Sequence, residues 1–183
     1  MEIMKVDRME TFFREQFERV LSQEHLPLSD AACAHTINVL LWAAYQGEQV
    51  AHHLGEAIGP QFLEAMRTPQ TTLLRKVGDQ ALLLRGVWWQ YVERPHAHGV
   101  PAGYYEDIGQ RAYLLIRTAC FDELGNKFVP LTRVLALLWS YTPLCREDDI
   151  CTLYSFWMRT RSAYARAILE RHGIRVNLQR RPS

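Results

Sequence analysis

His96 and His98 flank a single alanine, and Glu48, His52 and Glu56 recur at four-residue steps upstream of them. Residues four apart share one face of a helix, so the second group presents imidazole and carboxylate donors side by side. Two histidines from one segment, joined by a histidine and a carboxylate from another, would be donors of the kind a zinc or iron centre takes. The remaining signatures of such centres are missing: there is no HExxH, no pair of ExxH motifs and no cysteine cluster. The spacing alone therefore assigns no metal and calls for no cofactor. His96 and His98 are expected to act, if at all, as polar contributors to a ligand site.

Other chemistries leave a fainter trace. No GxxxxGK[ST] loop, GxGxxG turn or GxSxG elbow occurs, which removes the common phosphate-binding, dinucleotide and hydrolase motifs. Cys120 lies among apolar residues, where a thiol stays neutral and inert. Asp79 stands beside Gly78 in a strongly apolar stretch, so it is expected either to face solvent or to pair with an arginine such as Arg161. From Thr152 to Ser183 there are seven arginines and one acid, Glu170. Helix-dipole complementarity accounts for much of that enrichment, and the chain as a whole carries 21 Lys plus Arg against 20 Asp plus Glu. Nucleic acid is not the expected partner.

Rings and glycines make the other constellation. Trp88, Tyr104 and Tyr105, with Gly109 on the same side, can line an inter-helix pocket for a planar or apolar molecule. The plainer expectation is close packing. Glycine inside a helix costs about 1 kcal/mol relative to alanine, and a neighbouring helix or ring against the bare backbone at Gly78, Gly86 and Gly109 would offset it. Trp88 and Trp89, adjacent on a helix, point about 100° apart, so one of them is expected to stay partly exposed.

The elements that hold these residues read as helices throughout. Phe13, Phe17, Val20 and Leu21 mark a first helix that ends before Pro27, and Ser29 caps a second through Cys33, Ile37, Leu40, Leu41 and Ala44. That face resumes at Val50, Leu54 and Ile58 and should end at Gly59 and Pro60. Thr68 and Pro69 look like an N-cap and first position for a helix reaching about Glu93. After the loop ERPHAHGVPAG, a fourth helix from Ala102 to Cys120 carries Tyr105, Gly109, Ala112 and Ile116 on one stripe. Phe121, Leu124, Phe128, Leu131, Leu135 and Leu138 continue as a packing seam, with a kink expected between Asn126 and Pro130. The last helix, from Asp148 or Asp149, buries Ile150, Leu153, Tyr154, Trp157, Tyr164 and Ile168, and Gly173 with Ile174 forms its left-handed C-cap.

The blocks LRKVGDQALLLRGVWW, YYEDIGQRAYLLI, FDELGNKFVPLTRVL and LYSFWMRTRSAYARAILERHGI resemble an uncharacterised family of bacterial helical proteins. The likeness spans Leu74 to Ile174. Its most specific part is the YYxxxGxxAY block at Tyr104, Tyr105, Gly109, Ala112 and Tyr113. Val77 stands where the family pattern has leucine, and Pro130 where it has an ordinary helix former. The resemblance implies a bacterial helical protein and transfers no catalytic residue.

With 183 residues, 48% hydrophobic and 22% charged, the chain matches a soluble globular domain. No stretch approaches the roughly 20 apolar residues of a membrane span. An acidic, interrupted N-terminus argues against a secretory signal, and four scattered cysteines suit a reducing compartment. The expectation is thus an all-α, single-domain, irregular bundle of about six principal helices over residues 1–174, with a basic tail at 175–183. It is expected to be cytoplasmic, without membrane contact, and to act as a non-enzymatic adaptor or regulator through a protein partner or self-association. The competing expectation is a small-molecule-binding protein or enzyme using the aromatic pocket.

Overall fold

Four consecutive apolar residues, Ala81 to Leu84, point to every side of a helix and place the segment TTLLRKVGDQALLLRG near the centre of the domain. In the computed structural model it forms α4, Thr71–Gly86, with Leu74, Val77, Gly78, Gln80 to Leu84 and Gly86 all buried. The structure describes residues 2–46, 50–68, 70–92 and 100–141, together with Tyr154, Trp157, Met158, Arg161, Arg166, Leu169, Glu170, Gly173 and Ile174. Among the described residues the chain is an all-α single domain of eight helices without strands. The others are α1 (Glu2–Gln23), α2 (Asp30–Gln46), α3 (Val50–Arg67), α5 (Trp89–Val92), α6 (Ala102–Leu114), α7 (Ala119–Asn126) and α8 (Phe128–Tyr141). Helices α3, α6 and α8 pack around α4, while α1 and α2 pair with each other and lean on α8 and α7 respectively.

Short helices replace some of the long ones expected, and each break has a local cause. The helix through Trp88 stops at Gly86, where the Leu83 carbonyl accepts from both Val87 and Trp88, and α5 restarts at Trp89. That turn reorients the chain between the two rings. Trp88 and Trp89 are therefore both buried, contrary to the expectation of an exposed ring. The helix expected to reach Cys120 ends at Leu114, because Arg117 takes a left-handed backbone (φ 57°) before Thr118 precedes α7. The break expected between Asn126 and Pro130 falls at Lys127, which leaves Pro130 in the first turn of α8, where its missing donor matters least.

The opposite happens in α3. Gly59 and Pro60 do not end it; the helix runs through Pro60 to Arg67. An interior proline costs about 3 kcal/mol in a helix. Here Pro60 lies on the exposed side, where solvent can satisfy the orphaned carbonyl, and burial of Ile58 and Ala65 anchors the helix on either side of it. Thr68 does not cap α4, whose N-cap is Gln70, without a side-chain bond.

Several local expectations hold. The Ser29 hydroxyl accepts from Ala32 N–H at 3.3 Å, capping α2. Gly173 is left-handed (φ 79°), and Ile174 N–H reaches back to the Leu169 carbonyl at 2.9 Å, closing a helix end in the expected way. Of the last helix's expected inward residues, Trp157 is buried but Tyr154 is exposed; the other four lie outside the described residues. None of the described helices is long and apolar enough to cross a membrane.

Candidate functional site

Tyr104 and Tyr105 stand edge to face at 5.4 Å, while Trp88, Tyr105 and Gly109 are taken up in the packing of the domain. Tyr105 is buried, with its hydroxyl against Gly55 of α3, and Trp88 is buried in the turn after α4. Gly109 lies under the Phe128 ring and the Ala81 methyl, so close that a Cβ at this position would overlap both. Gly78 is covered in the same manner by the Tyr113 ring. These contacts let α6 approach α4 and α8 closely, and one Glu106 oxygen adds a tie by accepting from Arg85 at 2.6 and 3.0 Å. Tyr104 differs from its neighbour: it is 38% exposed, and its hydroxyl rests on the bare backbone of Gly59. His96 and His98 lie outside the described residues.

Asp79 has partners that the sequence does not announce. Its Oδ1 accepts from the Tyr113 hydroxyl at 2.7 Å and meets Nε2 of His35 at 2.7 Å. Phe121 closes the cluster edge-on to His35 and tilted against Tyr113. Burial, reinforced by the charge and hydrogen bond of Asp79, holds the Tyr113 phenol well above its ordinary range. Arg161, the expected partner, is elsewhere: it has a left-handed backbone and stacks over Trp157 at 4.6 Å. The cluster joins α2, α4, α6 and α7. Its half-buried Asp79 and His35 fix helix positions, and the fully buried phenol beside them offers no route to a substrate.

A second polar knot ties the α1–α2 connection to α7. Glu123 accepts from the Ser29 hydroxyl at 2.5 Å, from the Ser29 N–H at 3.2 Å to each oxygen, and from Lys127 at 2.8 Å. Lys127 also donates to the Pro27 carbonyl at 2.6 Å. These bonds, Lys127 foremost, pull the Glu123 carboxyl below the ordinary range. Beside the knot is an open cleft of about 600 Å³ lined by Arg14, Glu18, His25, Asp30 and Cys33 among others. Burial followed by the nearby acids Glu18, Asp30 and Glu123 raises the Cys33 thiol, and burial does the same at Cys120.

The outward face of α3 has a different character. At 100° per residue, positions 52, 56, 59, 63 and 66 fall within an arc of about 80°. That face carries His52 and Glu56 at one end and Leu63 and Met66 at the other, with Gly59 between them under the Tyr104 hydroxyl. Leu63 is 61% and Met66 49% exposed, against full burial of Ala51 and Ile58 on the other side of the helix. The sequence hides this because Gly59-Pro60 reads as a terminator and so detaches Leu63 and Met66 from the helix before it. Continuous through Pro60, the helix aligns them with His52 and Glu56.

No family model, curated protein or solved structure matches this chain.

Proposed function

We propose that the chain is a non-enzymatic adaptor or regulatory protein whose binding surface is the outward face of α3 together with Tyr104. The observation that carries this reading is the exposure of Leu63 (61%) and Met66 (49%) on one face of α3, beside the part-exposed Tyr104; among the described residues, Trp42, Tyr45 and Leu114 are the other large apolar side chains exposed on α2, α3, α4 and α6. Exposed apolar residues on neighbouring helices favour association, because covering them removes apolar area from water. A long flexible methionine and an amphipathic tyrosine suit an interface that must also face solvent. A cytoplasmic site of action and a bacterial origin belong to the same proposal, on the compositional and block features of the sequence.

The test compares the native protein with L63E/M66E by light scattering, then by affinity purification with mass spectrometry of bound proteins and small molecules. Self-association or a stoichiometric protein partner lost in the variant supports the surface. A stoichiometric metabolite and no protein overturns it in favour of a small-molecule binder. For that second reading the supporting observation is the cleft between α1 and α2, whose volume is within the range of about 300–1,000 Å³ typical of ligand sites.

A further inference from the structure

We propose that His52, His53 and Glu56, at the amino-terminal end of the same α3 face, bind a divalent transition-metal ion, with zinc the best fit. One ligand atom from each of the three side chains lies within 4.8 Å of the other two. His52 Nδ1 and Glu56 Oε2 are 3.4 Å apart, and bonds of the usual zinc length span a tetrahedral edge of about 3.3–3.4 Å. That pair already has the separation of two ligands on one ion. His53, one residue on, has its ring centroid 5.7 Å from that of His52 and is exposed, so a rotamer change can bring it within bonding distance.

The helix explains why these three residues converge. Glu56 is one turn from both histidines, at i+4 from His52 and i+3 from His53, so its carboxylate reaches back between the two imidazoles. On the adjoining side the Tyr91 ring stands 6.3 Å from His52 and limits the directions that imidazole can take. Two imidazoles and one carboxylate form a borderline donor set, which suits zinc, nickel, cobalt or copper and suits calcium or magnesium poorly. Three protein donors leave a fourth tetrahedral position facing outward, open to water or to a donor from another molecule. The spacing of His52 and Glu56 was visible in the sequence; His53, one step around the helix, supplies the third donor. The site does not depend on the apolar half of α3 binding anything.

Titration of the untagged, full-length protein with zinc chloride followed by calorimetry tests it, with cobalt(II) as an optical probe. One equivalent is expected to bind, with tetrahedral cobalt bands and without thiolate-to-cobalt charge transfer, and H53A and E56Q should each weaken affinity by at least about tenfold. All three residues are exposed, so the metal-free variants should melt with the wild type. No saturable binding, undiminished binding in both variants, or thiolate charge-transfer bands would overturn the site.

Discussion

The Tyr113 hydroxyl donates to Asp79 Oδ1 at 2.7 Å while the ring of the same tyrosine fills the notch left by Gly78, one residue before that aspartate. One side chain thereby supplies both the close contact and the polar tie between α6 and α4. Removing the acceptor should be worse than removing the donor. Asp79→Ala strands a fully buried hydroxyl and is expected to destabilise by about 2–3 kcal/mol, whereas Tyr113→Phe should cost about 1 kcal/mol. Asp79→Asn retains an acceptor oxygen and should fall between wild type and the alanine variant. Urea denaturation of the variants and the D79A/Y113F double variant gives the coupling directly, and strictly additive effects would contradict the linkage.

Gly109→Ala should destabilise the protein even though alanine is the better helix former. The added methyl meets the Phe128 ring and the Ala81 methyl. Overpacking of a dense core costs about 1–3 kcal/mol, more than the gain in helix propensity of about 1 kcal/mol over most of that range. At about 2–4 °C per kcal/mol for a chain of this size, calorimetry should register a lower melting temperature. A higher one would mean that the α6–α8 contact is looser than described.

Alkaline stability should depend on Tyr113. The folded state holds its phenolic proton through the range where an unfolded tyrosine, with a pKa of about 10, loses it. Between those two values the unfolded state binds fewer protons, so stability falls as pH rises above about 10 and is unaffected below it. Chemical denaturation at pH 8 to 11 should show a shallower decline for Tyr113→Phe than for wild type; identical slopes would exclude the effect.

At the acid end the sign reverses for Glu123. Hydrogen bonds from Lys127 and Ser29 depress its carboxyl in the folded protein. Its contribution is therefore present above the unfolded carboxyl value of about 4.3 and lost as pH falls through the lower folded value. Glu123→Gln removes that contribution at neutral pH and should reduce the difference in stability between pH 6 and pH 3. A pH profile unchanged by the substitution would count against the knot.

The two described cysteines should react slowly despite partial exposure. Burial raises both thiols, with Glu18, Asp30 and Glu123 adding to Cys33 and Glu123 to Cys120. Less thiolate is present at pH 8 than in a free cysteine, and the thiolate is the nucleophile. Peptide-resolved alkylation of the native protein should show both lagging behind the same sites after unfolding.

Periodicity made the class of fold legible, because Phe13, Phe17, Val20 and the seam from Leu124 to Leu138 bury as their spacing predicts. Local cap chemistry was legible at Ser29 and Gly173 for the same reason: those bonds are made within a few residues. What escaped was decided by distant neighbours. Arg117 adopts a left-handed backbone that no local rule favours, and Pro60 is kept inside α3 by tertiary packing. The partners of Asp79 come from residues 44 positions before and 34 positions after it. The same Pro60 conceals the α3 surface, since a helix that ends there has no long outer face.

The clasp of Ser29 on Glu123 joins residues 94 apart. During synthesis on the ribosome, the α1–α2 unit is therefore complete well before α7 exists to receive it. Until about two-thirds of the chain has emerged, the surfaces of α1 and α2 that face α7 and α8 must wait uncovered. Early misassociation, or attention from a chaperone, should thus concentrate on the N-terminal helical pair, and translation arrested before Glu123 should leave that pair the most protease-sensitive part of the nascent chain.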